Sequence, residues 1–189
     1  MKPFIFAVSL LALTACTAPT DSQLSIQPSP SLAKQPDLEG QSLTLESRDL
    51  RTAQFVAVVD NGDQNVHPLH AKENLRLTLQ DALSRQLSSQ GVQIGHESQN
   101  TMRLDILEAI VNVKQSAFSH TLNSKLQLQL VLTTPNGKFI KRYAGKSSRE
   151  GAMTASTESM EVAMTGLMDA VLRDIQSDTE LNSYMEENL

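Results

Sequence analysis

The chain has 189 residues, with 16 Lys and Arg against 21 Asp and Glu, a formal net charge of −5 and 40 % hydrophobic residues. That length fits one domain of ordinary size, and the composition is too apolar and too weakly charged for a disordered chain. The acidic balance excludes a non-specific grip on nucleic acid, and a single Cys excludes both an internal disulfide framework and a Cys-rich zinc site.

The N-terminus reads as an address. Lys2 precedes an apolar run of ten residues, Phe4 to Leu13. Such a run reaches about 15 Å as a helix, half of a ~30 Å hydrocarbon core, so it suits a signal peptide and not a membrane span. Leu13-Thr14-Ala15-Cys16 follows, with small residues before the only thiol. This arrangement resembles the bacterial lipobox. The resemblance implies cleavage between Ala15 and Cys16, acylation of Cys16 and a membrane partner held through the N-terminal lipid. Each buried CH₂ contributes about 0.8 kcal/mol, so several acyl chains stay where one would exchange. Thr17 stands where an Asp would favour inner-membrane retention, which implies the outer membrane and its periplasmic face.

Residues 1–15 are therefore expected to be a signal peptide and residues 16–39 an acylated Cys with a tether. Pro19, Pro28, Pro30 and Pro36 fall in that tether among Ser, Thr and Gln, and such a composition buries too little to offset its ordering entropy. Residues 40–189 are expected to form a single α+β domain.

Within it, Leu43 and Leu45 alternate with polar neighbours, and Phe55 to Val59 is a more buried strand. Asp60-Asn61-Gly62-Asp63 is a turn. From about His70 to Gln90 the period becomes helical, with Leu75, Leu79, Ala82, Leu83 and Leu87 on one face and Gly91 as a stop. The start of this helix is poorly marked. Val92 and Ile94 form a short strand. Met102, Leu104 and Ile106 alternate, and then Ala109, Val111 and Val113 alternate on the other parity, which predicts a bulge near Ile106 and Leu107. Leu122 to Leu132 is the clearest strand, and Asn136-Gly137 predicts a hairpin through positive backbone φ at both positions. The return strand runs from Phe139 to about Ser148. Met160, Met164, Met168, Leu167, Val171 and Ile175 mark a core helix, and Ser177 or Asp178 caps a final one. The expected order is β-β-α-β-β-β-β-α-α. It is an α+β two-layer sandwich with a mainly antiparallel sheet and two main helices packed on one face.

The chain is similar to the YajG family of enterobacterial-type lipoproteins. The residues that carry the likeness are the lipobox, Asn74 to Leu83 with Gln86 and Gly91, Gly151-Ala152-Met153-Thr154-Ala155-Ser156, and Val171 to Ile175 with Asp178. Lys72 departs from it, standing where a capping Ser is expected. The resemblance implies an envelope lipoprotein with an α+β domain, no catalytic activity and no cofactor.

The residues themselves point to little chemistry. No nucleophile motif is present, so no catalytic residue is assigned. His67 and His70 flank Pro68, and with Asp60 and Asp63 they read as solvated loop residues and not as metal ligands; His96 and His120 read alike. Asp49 and Arg51 are expected to pair in solvent, where a pair contributes about 0–1 kcal/mol. The basic run Lys138, Lys141, Arg142, Lys146 and Arg149 stands out. Lys125 across the hairpin, with Lys138, Arg142 and Lys146, is the candidate ligand patch. Its reading as a site competes with ordinary charge decoration of a soluble sheet. Aromatics do not interleave with it, so nucleic acid is not an expected ligand. The leading functional expectation is a non-catalytic accessory module with an envelope protein partner. The alternative is a binder of peptidoglycan or another anionic envelope ligand, and a hydrolase ranks third.

Overall fold

The computed structural model of the chain describes residues 23–63 and 65–189, so the expected signal peptide, Ala15 and Cys16 lie outside the described residues. The elements are β1 (Ser42–Asp49), β2 (Phe55–Asp60), β3 (Val66–His70), α1 (Leu75–Ser89), β4 (Gln93–Ile94), β5 (Thr101–Gln115), β6 (Ser119–Thr134), β7 (Gly137–Ala152), α2 (Thr157–Gln176) and α3 (Thr179–Asn188). This is the expected α+β order with β3 added. β3 takes in His67-Pro68-Leu69-His70, so His67 and His70 are strand residues and not loop residues. Pro68 is tolerated there because β3 is an edge strand, paired only with β2.

Adding β3 moves the helix start to Leu75. Asn74 is its cap, accepting from the Arg76 and Leu77 N–H groups at 3.1 and 3.3 Å. Asn satisfies these orphan donors as well as Ser does, which is why Lys72 needs no capping role. Gly91 follows the helix at φ +97°, as expected of a stop. Asp178 caps α3.

β5 organises the sheet. One edge pairs antiparallel with β6, which pairs antiparallel with β7. The other edge is shared by two strands in succession: β1 runs parallel along Thr101 to Ile106, and β2 parallel along Val111 to Lys114. Three of the six strand pairings are parallel, while the long hairpins make the bulk of the sheet antiparallel. Alternation of side chains is the same in both arrangements, so it does not reveal strand direction. The β6–β7 turn centres on Pro135 and Asn136, and Gly137 already pairs with Thr134. Neither Asn136 nor Gly137 takes a positive φ; Pro135 presets the turn instead.

The register of β5 against β6 shifts between Ile106 and Glu108. Met102, Leu104 and Ile106 are buried before the shift and Ala109, Val111 and Val113 after it, the predicted bulge. At the same level β1 stops and β2 begins. Arg51 fills this break. Its Nε and one terminal nitrogen donate to the Asp49 carboxylate at 2.9 and 2.7 Å, and the other terminal nitrogen donates to the carbonyls of Phe55 and Ala109 at 3.2 Å each. The two side chains are only 6 % and 14 % exposed, so the expected solvated pair is in fact a buried clamp. Burial pushes the Asp49 carboxyl up, but hydrogen bonds from the Arg51 side chain and backbone outweigh it and hold the group below the ordinary value.

All three helices lie behind one face of the sheet. α2 buries Met160, Ala163, Met164, Leu167, Met168, Val171, Leu172 and Ile175, so the Met stripe is core. It approaches closely because Gly145 is small: a Cβ there would lie 2.7 Å from Leu167 Cδ1 and 3.0 Å from Val171 Cγ2.

The expected tether of residues 16–39 is shortened from its C-terminal side. From Gln23 to Leu38 the chain is a strap across the helices. Leu24, Ile26 and Leu38 are 1 %, 1 % and 3 % exposed. The Ser25 and Ser29 N–H groups donate to Glu161 and Asp169 of α2, each at 2.7 Å, and that of Ala33 to Ser89 of α1 at 2.8 Å. The alternation of Leu24 and Ile26 is too short, and the prolines after it too many, to stand out as an element in the sequence, yet these residues join the core.

Arg51→Ala is expected to leave the Asp49 charge buried and unpaired, costing about 3–5 kcal/mol and lowering the melting temperature by about 10 °C. Arg51→Lys should recover only part, because an ammonium lacks the planar fork; thermal unfolding of both variants checks this. Ile26→Ala should cost about 2–4 kcal/mol in urea unfolding if the strap is part of the core, whereas a free tether would show no change.

Candidate binding face

The open face of the sheet follows from the same alternation that builds the core. On β7, Phe139, Tyr143 and Gly145 point toward the helices, so Lys138, Ile140, Arg142 and Lys146 point away and are exposed. On β6, Lys125 and Gln129 point the same way. Lys125 pairs in register with Lys146, Gln129 with Arg142 and Thr133 with Lys138. The four residues of the candidate patch therefore stand on one exposed face.

The remaining basic residues of the run do not join them. Lys141 lies on the helix side, where its Nζ donates to Asp178 and Glu180 at 2.9 and 2.8 Å. Tyr143 donates to the second Asp178 oxygen at 2.6 Å. Burial first, and then the Asp178 carboxylate, push the Tyr143 hydroxyl far above its ordinary value, so it remains a donor. This cluster latches α3 onto β7. Arg149 also lies on the helix side, beside Gly166 of α2.

Within the patch, Arg142 Nε donates to Gln129 Oε1 at 3.0 Å, and Lys125 lies 3.9 Å from Glu108. Lys125 opposite Lys146 is a like-charge cross-strand pair, which is unfavourable by a few tenths of a kcal/mol. Toward β1 the face changes character. Asp105 is fully buried beneath Arg48 and Arg103. Arg48 donates to both its oxygens at 2.8 and 3.0 Å, and Arg103 to the nearer one at 3.2 Å. Burial raises the Asp105 carboxyl, and the bonds from Arg48 and Arg103 more than reverse that, so it stays below the ordinary range. Arg48 and Arg103 were not singled out in the sequence, although their alternation against Met102 and Leu104 would have placed Arg103 on this face. The cations at this end are neutralised, and the β6–β7 end keeps Lys138 and Lys146 free of ion pairs among the described residues.

The histidines do not converge. His67 and His70 are three apart on a strand and fall on opposite faces. His120 Nδ1 lies 2.9 Å from the Met153 carbonyl, and His96 lies in the β4–β5 loop. Among the described residues no three His, Cys, Asp or Glu side chains are grouped for a metal ion.

Asp49, Asp105 and Asp178 are all held below the ordinary carboxylate value. Such groups contribute stability that is complete above the unfolded-state value and is lost as pH falls through the folded-state value. The urea midpoint is therefore expected to hold from neutral pH down to about 4 and to fall below it. Asp105→Asn should lower the midpoint at neutral pH and flatten part of the acid-side loss, which a pH series of urea titrations reads directly.

A family model described as an uncharacterized lipoprotein, Lipoprotein_16, matches residues 28–186. The chain is similar to the uncharacterized lipoprotein YajG of Escherichia coli strain K12, 26 % identical over 183 residues, which cover 96 % of this chain and 94 % of that protein. The same figures hold for YajG of Escherichia coli O6:H1 strain CFT073. In structure it is similar to protein XCC0632 from Xanthomonas campestris, of family DUF330, with a TM-score of 0.56, 11 % identity and coverage of 87 % of this chain and 96 % of that one. At that identity the likeness concerns the fold alone.

Proposed function

The chain belongs to the Lipoprotein_16 family of uncharacterized lipoproteins, and on that premise we propose that it is an accessory protein of the bacterial envelope. Acylated Cys16 holds it at the outer membrane on the periplasmic side, and it works by binding and not by turnover. The observation that carries this reading is the uncovered sheet face. β5, β6 and β7 are 15, 16 and 16 residues long, and α2 covers only their other face. Among the described residues the outer edge of β7 has no strand neighbour, so a partner strand can add there through backbone hydrogen bonds. Lys138, Arg142 and Lys146 then select an acidic partner. Membrane anchoring concentrates the face against other envelope proteins, which raises occupancy without new contacts.

The alternative ligand is peptidoglycan or another anionic envelope polymer on Lys125, Lys138, Arg142 and Lys146. The like-charge pair Lys125–Lys146 favours it, because an anion seated there relieves a repulsion that folding leaves in place.

Photo-crosslinking from Ile140, which is exposed on this face, is expected to recover one envelope protein at constant stoichiometry. If the alternative holds, purified protein co-sediments with peptidoglycan at low salt, and Arg142→Glu/Lys146→Glu lowers that binding by about tenfold. The binding-face reading is overturned if both the crosslink and the co-sedimentation are absent, and turnover of a muropeptide by pure protein would sink the non-catalytic one. Palmitate labelling of wild type and not of Cys16→Ser, recovered in the outer-membrane fraction of a sucrose gradient, checks the anchor.

A further inference from the structure

Three connections meet at one end of the sheet: the β2–β3 turn, the β5–β6 turn and the segment from β7 into α2. Gln115 ties them, donating from Nε2 to Asn61 Oδ1 at 2.7 Å and accepting the Ala155 N–H at 2.8 Å. The Met153 N–H donates to the Phe118 carbonyl at 2.9 Å, so these two residues are neighbours across the tip. Phe118 is 86 % exposed, Met153 69 % and Val66, at the start of β3, 61 %. They are the three most exposed large apolar side chains among the described residues, and all stand at this end. Scattered exposed apolar residues are ordinary; a group at one tip marks a contact surface.

The N-terminal end of the described strap points toward the same end. Leu24 bridges Ala71 in parallel, so the path backward from Leu24 runs in the direction of His67 and Val66. Ser25 meets Glu161 and Ser29 meets Asp169, so the strap also runs backward toward the start of α2, which follows Met153. From Cys16 to Gln23 the chain spans at most about 25 Å, at roughly 3.5 Å per residue.

We propose that this tip is a membrane-contact surface: Phe118 and Met153, with Val66, enter the interface of the phospholipid bilayer that carries the acyl chains of Cys16. The proposal rests on the lipid-anchor reading above. The anchor makes the tip contact intramolecular, so a contact too weak to bind alone is populated. Attraction to anionic headgroups is not its basis. Asp60 ends β2 and Asp63 lies in the β2–β3 turn, accepting from the Gly62 and Asn65 N–H groups at 2.9 and 3.0 Å. The contact is apolar and insensitive to salt, unlike binding through the basic face.

The chain contains no Trp, so Phe118→Trp supplies a single reporter at an exposed position. The acylated full-length protein is reconstituted in vesicles of phosphatidylethanolamine and phosphatidylglycerol, with and without brominated acyl chains. Phe118→Trp is expected to lose roughly half its emission in brominated vesicles, as for a side chain at the headgroup and acyl boundary, equally at low and high salt. Ile140→Trp on the open sheet face is expected to keep its emission. If vesicle-bound Phe118→Trp is quenched no more than Ile140→Trp, the tip proposal is overturned while the anchor stands. If the wild type floats with vesicles no better than Cys16→Ser, the anchor reading fails and the proposal falls with it.

Discussion

Arg51 sits where β1 ends, β2 begins and β5 changes parity, and its guanidinium goes to Asp49 and to the carbonyls of Phe55 and Ala109. Two strands laid end to end along one edge of β5 leave backbone groups without ladder partners at the joint. A planar, permanently charged fork reaches several of them at once. With that joint held, β1 keeps Leu43 and Leu45 on the helix side and β2 keeps Val56 and Val59 buried. β6 and β7 run unbroken past the joint and tie the two halves of the sheet together.

The sheet is asymmetric for a packing reason. Gly145 lets α2 settle against β6 and β7, and α1 packs on β1 and β4. The apolar stripe is consumed by that layer, and the strap of residues 23–38 fills the outer groove between the helices. The opposite face carries charge, part of it neutralised around buried Asp105 and part of it left on β6 and β7. One layer of helices thus produces both the core and an uncovered platform.

The strap also shortens the tether. Because Leu24, Ile26 and Leu38 are buried, little chain separates Cys16 from the folded domain.

Much was legible in single residues. The bulge in β5 followed from the parity change between Ile106 and Ala109, and the buried Met stripe from its helical period. The β6 and β7 residues of the candidate patch could be placed on one face by alternation alone. Other features were not local. Strand direction leaves alternation unchanged, so the parallel pairing of β1 and β2 with β5 was hidden. Asp49 and Arg51 looked solvated because burial comes from strands about sixty positions away. β3 and the strap carry too short a pattern to be read locally, and each is ordered by a neighbour: Val58 opposite Pro68, and Glu161 and Asp169 of α2 holding the Ser25 and Ser29 N–H groups. The sequence by itself determined the periodic elements and the family likeness, because both rest on residue spacing along the chain. Tertiary structure alone decided which charges are buried and where the ordered chain begins to pack as a strap, because those depend on long-range desolvation and packing.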